Sequence, residues 1–196
     1  MSHGPWAIVP RLVGRHAALE PLGRAHVPEL RAALGGTALW ELVFTSVPHP
    51  DAVDGYVDDA LAMQARGEAL PFVIRDGSGA VVGSTRYYQL APAVPRLAIG
   101  YTWIVPRAQR TAVNTEAKRL LLGHAFDTLG CAAVAFETST LNLRSQAAIE
   151  RLGARRDGVL RHHMRHKDGT LRDTVAYSIV AGEWPAVRDA LDARLG

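Results

Sequence analysis

The fold is decided by residues 99–118, which read IGYTWIVPRAQRTAVNTEAK. The apolar stretch from Leu97 to Val105 is typical of a buried strand, and Pro106 ends it because proline lacks the backbone N–H that a sheet requires. After a short polar loop, apolar residues recur with helical spacing from Val113 to Leu129, and Gly130 ends the helix that this spacing predicts. The stretch therefore predicts a strand, a loop and a long helix.

The start of this helix is suited to bind an anion. Up to about four backbone N–H groups in the first turn of a helix lack an intrahelical partner, and the positive end of the helix dipole lies there. Such a start can hold a pyrophosphate, and small residues such as Thr111 and Ala112 would let phosphate oxygens approach the backbone. Neither the GxxxxGK[ST] nor the GxGxxG sequence is present, so a plain strand–loop–helix connection is the alternative.

Regular elements are predicted on both sides of this stretch from the same periodicities. Strands are predicted at residues 17–22, 72–74, 80–90, 132–137, 159–166 and 171–180, and helices at 25–34, 51–66, 142–152 and 183–195. The turn Asp76-Gly77-Ser78-Gly79 is typical of a hairpin and joins two of the strands. This order predicts an α+β (mixed α/β) fold class with one central sheet.

The composition is that of an ordinary globular protein, with 48% hydrophobic and 21% charged residues. No repeat or linker divides the chain, so residues 1–196 are predicted to form a single domain. Cys131 is the only cysteine, which excludes an internal disulfide and a cysteine-based metal cluster. This cysteine usage is consistent with a reducing cytoplasm.

The net charge of +3 comes mainly from arginines that are scattered along the chain. We interpret them as a solvated surface, which makes nucleic-acid binding the least favoured function. No stretch approaches about 18 consecutive apolar residues, and the N-terminal residues lack the pattern of a signal peptide. Neither a membrane span nor secretion is expected, and the expected location is the cytoplasm.

A second informative segment runs from Glu137 to Ser145 and leads from a strand into a helix that ends at Leu152-Gly153-Ala154. Asn142 stands at the N-cap position of this helix, with Ser145 at the third helical position. Capping alone could account for Asn142. It does not account for both informative segments occurring together at this spacing.

Together these segments resemble the GNAT (GCN5-related N-acetyltransferase) superfamily, and within it the ribosomal-protein N-terminal acetyltransferase-like (RimJ/RimL-type) group. The family's coenzyme loop reads roughly Q/R-x-x-G-x-G/A, and residues 109–114 occupy it here, with Ala112 and Asn114 in place of glycines. The Asn142-x-x-Ser145 helix and the hairpin at residues 168–178 are similar to those of the group. The resemblance implies one mostly antiparallel central sheet with splayed strands, flanked by helices.

The resemblance also implies an acetyl-CoA site along the two segments. A backbone N–H on the splayed strand, which includes Trp103 to Val105, would polarise the thioester carbonyl. The residues implied to bind the coenzyme are Trp103, Ile104, Val105, Gln109, Arg110, Thr111, Ala112, Val113, Asn114, Thr115, Asn142 and Ser145. Many relatives carry a tyrosine that protonates the leaving thiolate, and Ile149 occupies that position here. Ser145 is then the implied partner of the thiolate, with simple helix capping as the alternative.

The general base is not identified by the resemblance. A base is needed because an ammonium group titrates near about 8–10, whereas attack requires the neutral amine. Relatives often carry a glutamate at the position of Ala98 or near that of Met164, and neither residue can serve. The remaining candidates are Glu41, His49, His163 and Asp173.

Of these candidates, His163 and Glu41 are predicted to be catalytic. Histidine has the most suitable ordinary pKa, although a solvated hairpin histidine and a surface salt bridge of Glu41 are the respective alternatives. No metal site is predicted, because His162 and His163 point to opposite faces of a strand and no carboxylate or cysteine stands at a typical spacing.

The resemblance implies an acyl-CoA-dependent N-acetyltransferase. It would transfer an acetyl group from acetyl-CoA to a primary amine of a protein N-terminus or a small molecule, by direct attack in a ternary complex. The alternative is a catalytically inactive, CoA-binding regulatory protein, because the usual tyrosine and glutamate are absent. A homodimer is a further hypothesis, based on the Ala/Val/Leu-rich strands of the C-terminal hairpin.

Overall fold

The structure, a computed structural model, describes residues 4–196. Its strands are β1 (Leu12–Val13), β2 (Ala17–Pro21), β3 (Ala69–Asp76), β4 (Val81–Ala91), β5 (Arg96–Ile104), β6 (Ala133–Ser139), β7 (Arg155–Arg165) and β8 (Leu171–Val180). Its helices are α1 (Val27–Leu34), α2 (Val53–Ala65), α3 (Ala112–Gly123), α4 (Leu143–Arg151) and α5 (Trp184–Leu195).

The strands form one sheet in the order β1-β2-β3-β4-β5-β6-β8-β7. Within the described residues, β5 and β6 are parallel and every other neighbouring pair is antiparallel. Successive side chains of a strand point to opposite faces, and β4 shows which helices cover each face. Ser84 accepts a hydrogen bond from Tyr56 of α2, whereas Tyr87 donates to the Leu121 carbonyl of α3. Helix α2 therefore covers one face and α3 the other.

The predicted elements are confirmed, with differences at their edges; β3, for example, extends beyond the predicted residues 72–74 at both ends. Strand β1 was not predicted, because two residues are too short to show a period. Strand β7 begins at Arg155, before the predicted start at Val159, because pairing with β8 extends through a polar, exposed segment. The long helix is regular only to Gly123 and continues as a π-helical turn over His124–Thr128.

The parallel strands β5 and β6 separate soon after they meet. Their pairing is limited to residues 96–98 of β5 with residues 133–135 of β6. Beyond that point β5 contains a bulge, because Ser84 pairs with Trp103 while Arg86 pairs with Gly100. Bulges bend a strand and disrupt its ladder. The two strands therefore enclose an open space, called the wedge below, which confirms the expected splayed strands.

Candidate active site

The N-terminus of α3 lies directly after β5 and is exposed. Thr111 caps the helix: its hydroxyl accepts from the Val113 N–H at 3.3 Å and donates to the Ala108 carbonyl at 2.7 Å. Arg110 has a positive φ of 61°, which turns the chain sharply before the cap. A cavity of about 260 Å³ adjoins this turn and is lined in part by Arg107, Thr111 and Ala112. The helix start is therefore open to a ligand and bordered by a cation, as a pyrophosphate requires.

Gln109 connects three parts of the site. Its amide nitrogen donates to the Ile104 carbonyl at the end of β5 at 2.6 Å. Its amide oxygen accepts a hydrogen bond from Arg144 in the first turn of α4. The loop before α3 is thereby fixed to β5 and to α4. The Gln109 side chain holds the loop in place, which leaves the backbone of the loop to meet a ligand.

Asn142 caps α4. Its side-chain oxygen accepts from the Ser145 N–H at 3.0 Å, and its own N–H donates to the Ser139 carbonyl at 3.0 Å. The capping expected from the sequence is thus present. Ser145 is half-buried in the first turn of the same helix. Its role toward a thiolate stays a prediction.

Not all of the predicted strand residues can offer polar groups to the wedge. The side chains of Trp103, Ile104 and Val105 are buried, and the Trp103 indole N–H donates to the Tyr56 hydroxyl at 3.3 Å. The Val105 N–H donates to the Val82 carbonyl of β4 at 2.8 Å, so it is not available. Because backbone groups alternate in direction along a strand, the Ile104 N–H points away from β4, toward the wedge.

The two residues predicted as catalytic bases lie on exposed segments. Glu41 lies on the turn Leu39–Glu41 and makes no hydrogen bond or ion pair with any of the described side chains. His163 belongs to the irregular part of β7 between Leu160 and Met164. It lines a cavity of about 640 Å³ together with Asp173. No hydrogen bond or ion pair joins Glu41 or His163 to Ser145 within the described chain.

The two other candidate bases hold neighbouring backbone. Asp173 accepts from the His162 N–H at 2.7 Å. His49 caps the turn before α2 by accepting from the Asp51 N–H at 3.2 Å, and its ring packs edge-on against Trp40 at 4.5 Å.

Glu137 is a candidate that the sequence analysis missed. It follows Ala135, the last residue of β6 to pair with β5, by two positions, so it lies at the mouth of the wedge. Its carboxylate accepts from the Tyr88 hydroxyl at 3.4 Å and from the Gln89 amide at 3.3 Å. Burial, followed by the negative charge of Glu137, raises the pKa of Tyr88. The available signal was a charged residue within the otherwise apolar strand read as 132–137.

Lys118 is a buried cation on the α3 side of the sheet. Its Nζ donates to the Thr102 hydroxyl at 2.7 Å, and Thr102 is also hydrogen-bonded to Thr85 at 2.8 Å. Burial lowers the pKa of Lys118 to about 7. Lys118 therefore titrates near neutral pH, beside the strand that borders the wedge.

The structure of residues 4–196 bears on metal binding and on membrane insertion. No group of three or more His, Cys, Asp or Glu side chains is placed to hold a metal ion in this part of the chain. None of the helices described is both long and apolar enough to cross a bilayer.

Comparison with known proteins identifies the family. The family model described as "Acetyltransferase (GNAT) domain" matches residues 17–155. The uncharacterized N-acetyltransferase YoaA of Bacillus subtilis (strain 168) is 31% identical over 121 residues, which are 62% of this chain and 67% of that protein.

Solved structures agree with this match. A GCN5-related N-acetyltransferase from Brucella melitensis is 31% identical with a TM-score of 0.88, covering 98% of this chain and 88% of that chain. Mycobacterium smegmatis RimJ, solved in complex with CoA-disulfide, is 19% identical with a TM-score of 0.80 over 96% of each chain, which supports the fold alone. The chain belongs to the GNAT family of acetyltransferases.

Proposed function

We propose that this protein transfers an acetyl group from acetyl-CoA to the primary amine of an acceptor, by direct attack within a ternary complex. The observation that carries the proposal is the wedge between β5 and β6. The start of α3 borders it, α4 is tied to the same loop, and the Glu137 carboxylate lies at its mouth. A coenzyme and an acceptor can therefore meet at one point.

The coenzyme is held by backbone groups and flanking cations in this proposal. The N–H groups of residues 110–115, except that of Val113, which donates to Thr111, bind the pyrophosphate at the positive end of α3. Arg107 adds positive charge nearby, although it is also paired with Asp76 at 3.0 Å. The pantetheine arm enters the wedge, where the Ile104 N–H and the start of α4 face it. RimJ, which shares the fold, has been solved in complex with CoA-disulfide.

Acetyl-CoA supplies an acyl group that is activated as a thioester. Glu137 accepts a proton from the acceptor ammonium, directly or through water, and the neutral amine attacks the thioester carbonyl carbon. Backbone N–H groups of β5 that face the wedge, including that of Ile104, stabilise the developing oxyanion. The new C–N bond forms, the C–S bond breaks, and the thiolate takes a proton from the Ser145 hydroxyl or from water.

Glu137 replaces Glu41 and His163 as the proposed base. Glu137 is half-buried beside the point where β5 and β6 separate, whereas the other two side chains are exposed and form no hydrogen bond with groups around the wedge. Burial at the site of reaction keeps a base in register with the amine and limits competition by water. Because the position is half-buried, few other groups can take over the role of the base if Glu137 is removed.

The test is Glu137→Gln, compared with Glu68→Gln as a matched surface control. Glu68 is exposed and pairs with Arg66 at 2.8 Å, away from the wedge. Acetyl-CoA affinity is measured by calorimetry, and turnover by thiol release with a panel of amines. Removing the base is expected to lower kcat by about 10²–10⁴-fold while coenzyme affinity is kept.

Three results would contradict parts of this proposal. A native protein that binds acetyl-CoA but acetylates no amine would be the inactive regulatory protein. Loss of activity in Glu41→Gln or His163→Ala, with Glu137→Gln active, would return the base to the residues predicted from the sequence. Initial-rate lines that are parallel instead of intersecting would exclude the ternary complex.

A further inference from the structure

Two arginines on the face of the sheet that carries Glu137 lack an anionic partner. Arg86 of β4 is only 2% exposed, and Arg172 of β8 is half-buried. The Nε atom of each is buried without a hydrogen-bond partner, and neither forms an ion pair with any of the residues in 4–196. Buried cations are normally paired, because desolvation of an isolated charge is costly. These two arginines therefore point to a missing anion.

Arg86 is held in position by aromatic rings. Its guanidinium carbon lies 4.7 Å from the ring centre of Tyr56 and 4.3 Å from that of Tyr101. One terminal nitrogen donates to the sulfur of Met63 at 3.3 Å. Cation–π contacts orient an arginine and partly offset its desolvation, but they do not neutralise its charge. The side chain is thus fixed in place with unused donor capacity.

The same cluster extends from Arg86 to Glu137. Tyr101 packs edge-on against Tyr88 at 5.4 Å, and the Tyr88 hydroxyl donates to Glu137. Burial, and next the Glu137 carboxylate, raise the pKa of Tyr88, while the positive charge of Arg172 acts in the opposite direction. Arg172 therefore lies near Tyr88, on the other side of Glu137 from Arg86.

Sheet register confirms that these groups share one face. Ala176 is the β8 partner of Glu137, so Thr174 and Arg172 point to the same face as Glu137. The Thr174 hydroxyl is fully buried and also has no hydrogen-bond partner. Three unsatisfied polar groups from two strands thus surround a single carboxylate.

The spacing suits a small molecule with opposite charges. Arg86 pairs with Gly100 of β5, and Glu137 lies at the corresponding level of β6, so two strand spacings separate their backbones. At about 4.8 Å per spacing for paired strands, that separation is at least roughly 10 Å, because β5 and β6 diverge here, and side chains that lean toward each other shorten it. An ammonium at Glu137 and an acidic group at Arg86 then lie a few bonds apart.

We infer that the acceptor is a small zwitterion, a primary amine that carries a carboxylate or phosphonate group within a few bonds of the nitrogen. Glu137 receives the ammonium and Arg86 receives the acidic group, while Arg172 adds positive charge on the other side of Glu137. A protein N-terminus is disfavoured, because its carboxylate is converted to a peptide bond and leaves Arg86 unpaired. The inference rests on the proposed acetyl transfer and specifies its substrate class.

The test uses the full chain with saturating acetyl-CoA and matched sets of acceptors. Each set contains a free L-amino acid, its amide, a tripeptide with the same first residue, and the corresponding aminoalkylphosphonic acid. The expected result is at least one set in which kcat/KM for an acidic member exceeds that for the amide by about 100-fold. The carboxylate and phosphonate arms show which acid the site prefers.

Arg86→Gln and Arg86→Lys are then compared with Arg66→Gln, a surface control. Arg86→Gln is expected to lower kcat/KM for the acidic acceptor by at least 10-fold more than that for the amide, so the preference for the acid collapses. Arg86→Lys restores part of it. If the Arg86 variants fail to fold, the comparison of acid with amide on the unmodified protein tests by itself whether the acceptor carries an acidic group.

The inference is overturned if amides or tripeptides match the acids, if Arg86→Gln slows both equally, or if no acid reacts although acetyl-CoA binds. In the first two cases the proposed acetyl transfer is unaffected, and in the third it stands if an amide or tripeptide is acetylated. Absence of acetyl-CoA binding by calorimetry removes the proposed transfer itself, and the substrate inference with it.

Discussion

Replacing Lys118 by methionine is expected to stabilise the protein at neutral pH. Burial lowers the pKa of Lys118 from 10.5 to about 7. A shift of this size, at about 1.4 kcal/mol per unit, sets an upper limit of about 5 kcal/mol on the cost of the charged form in the native state. Methionine has a similar length and no charge, so it removes this cost without leaving a large cavity.

The sign of the pH dependence follows from linkage. Between about pH 7 and 10.5 the unfolded chain holds the Lys118 proton and the native protein does not, so stability rises with pH in this window. The full cost is therefore present below pH 7 and is lost as the pH approaches 10.5. Loss of the hydrogen bond to Thr102 opposes the gain by about 1 kcal/mol, and Thr102 keeps both Thr85 and solvent as partners.

Urea unfolding of the native protein and Lys118→Met between pH 6.5 and 9.5 measures the effect. We expect the variant to be more stable by about 2–4 kcal/mol near pH 7, and the difference to narrow at higher pH. Parallel stability curves, or a variant that is less stable throughout, would refute the reasoning. Such a result would mean that water or a bound anion reaches Lys118 and keeps it charged.

Two other changes test how the site is held. Glu116→Ala is expected to destabilise the fold by about 3 kcal/mol or more in urea unfolding, because its carboxylate accepts from the backbone N–H groups of Arg15, His16 and Ala17, and removal leaves these donors without partners. Unchanged stability would mean that water replaces the carboxylate. Asn142→Ala is expected to cost about 1 kcal/mol through loss of the α4 cap, and Asn142→Asp to restore most of it; equal loss in both would exclude capping as the cause.

Local patterns were sufficient to predict the helices and most strands. The helix at 142–152 and the strand at 171–180 differ from α4 and β8 by at most a residue or two, because apolar periodicity, capping and glycine stops act over short distances. The prediction of β7 was less complete. Its exposed residues show no alternation of polar and apolar side chains, and its register depends on β8. Pairing with a distant strand is not a local property.

The same limit applies to the candidate site. Asn142 was found because it caps a helix through a neighbouring residue, and Thr111 because it is a small residue in the loop that starts a predicted helix. Glu137 was missed because its position matters only where β5 separates from β6, two strands that meet through a parallel crossover. Arg86 was missed for the same reason: its burial between Tyr56 and Tyr101 joins a helix and two strands that lie far apart in sequence.

The bulge at Tyr101 connects the two halves of the proposed site. Tyr101 has a φ of 53°, a conformation that costs a residue other than glycine about 1 kcal/mol or more. A glycine would remove that cost but also the ring that packs on Arg86 and Tyr88. The retained strain is therefore explained if one inserted residue has two roles. It bends β5 just beyond its last pairing with β6, and its ring holds the arginine that we propose faces the acceptor.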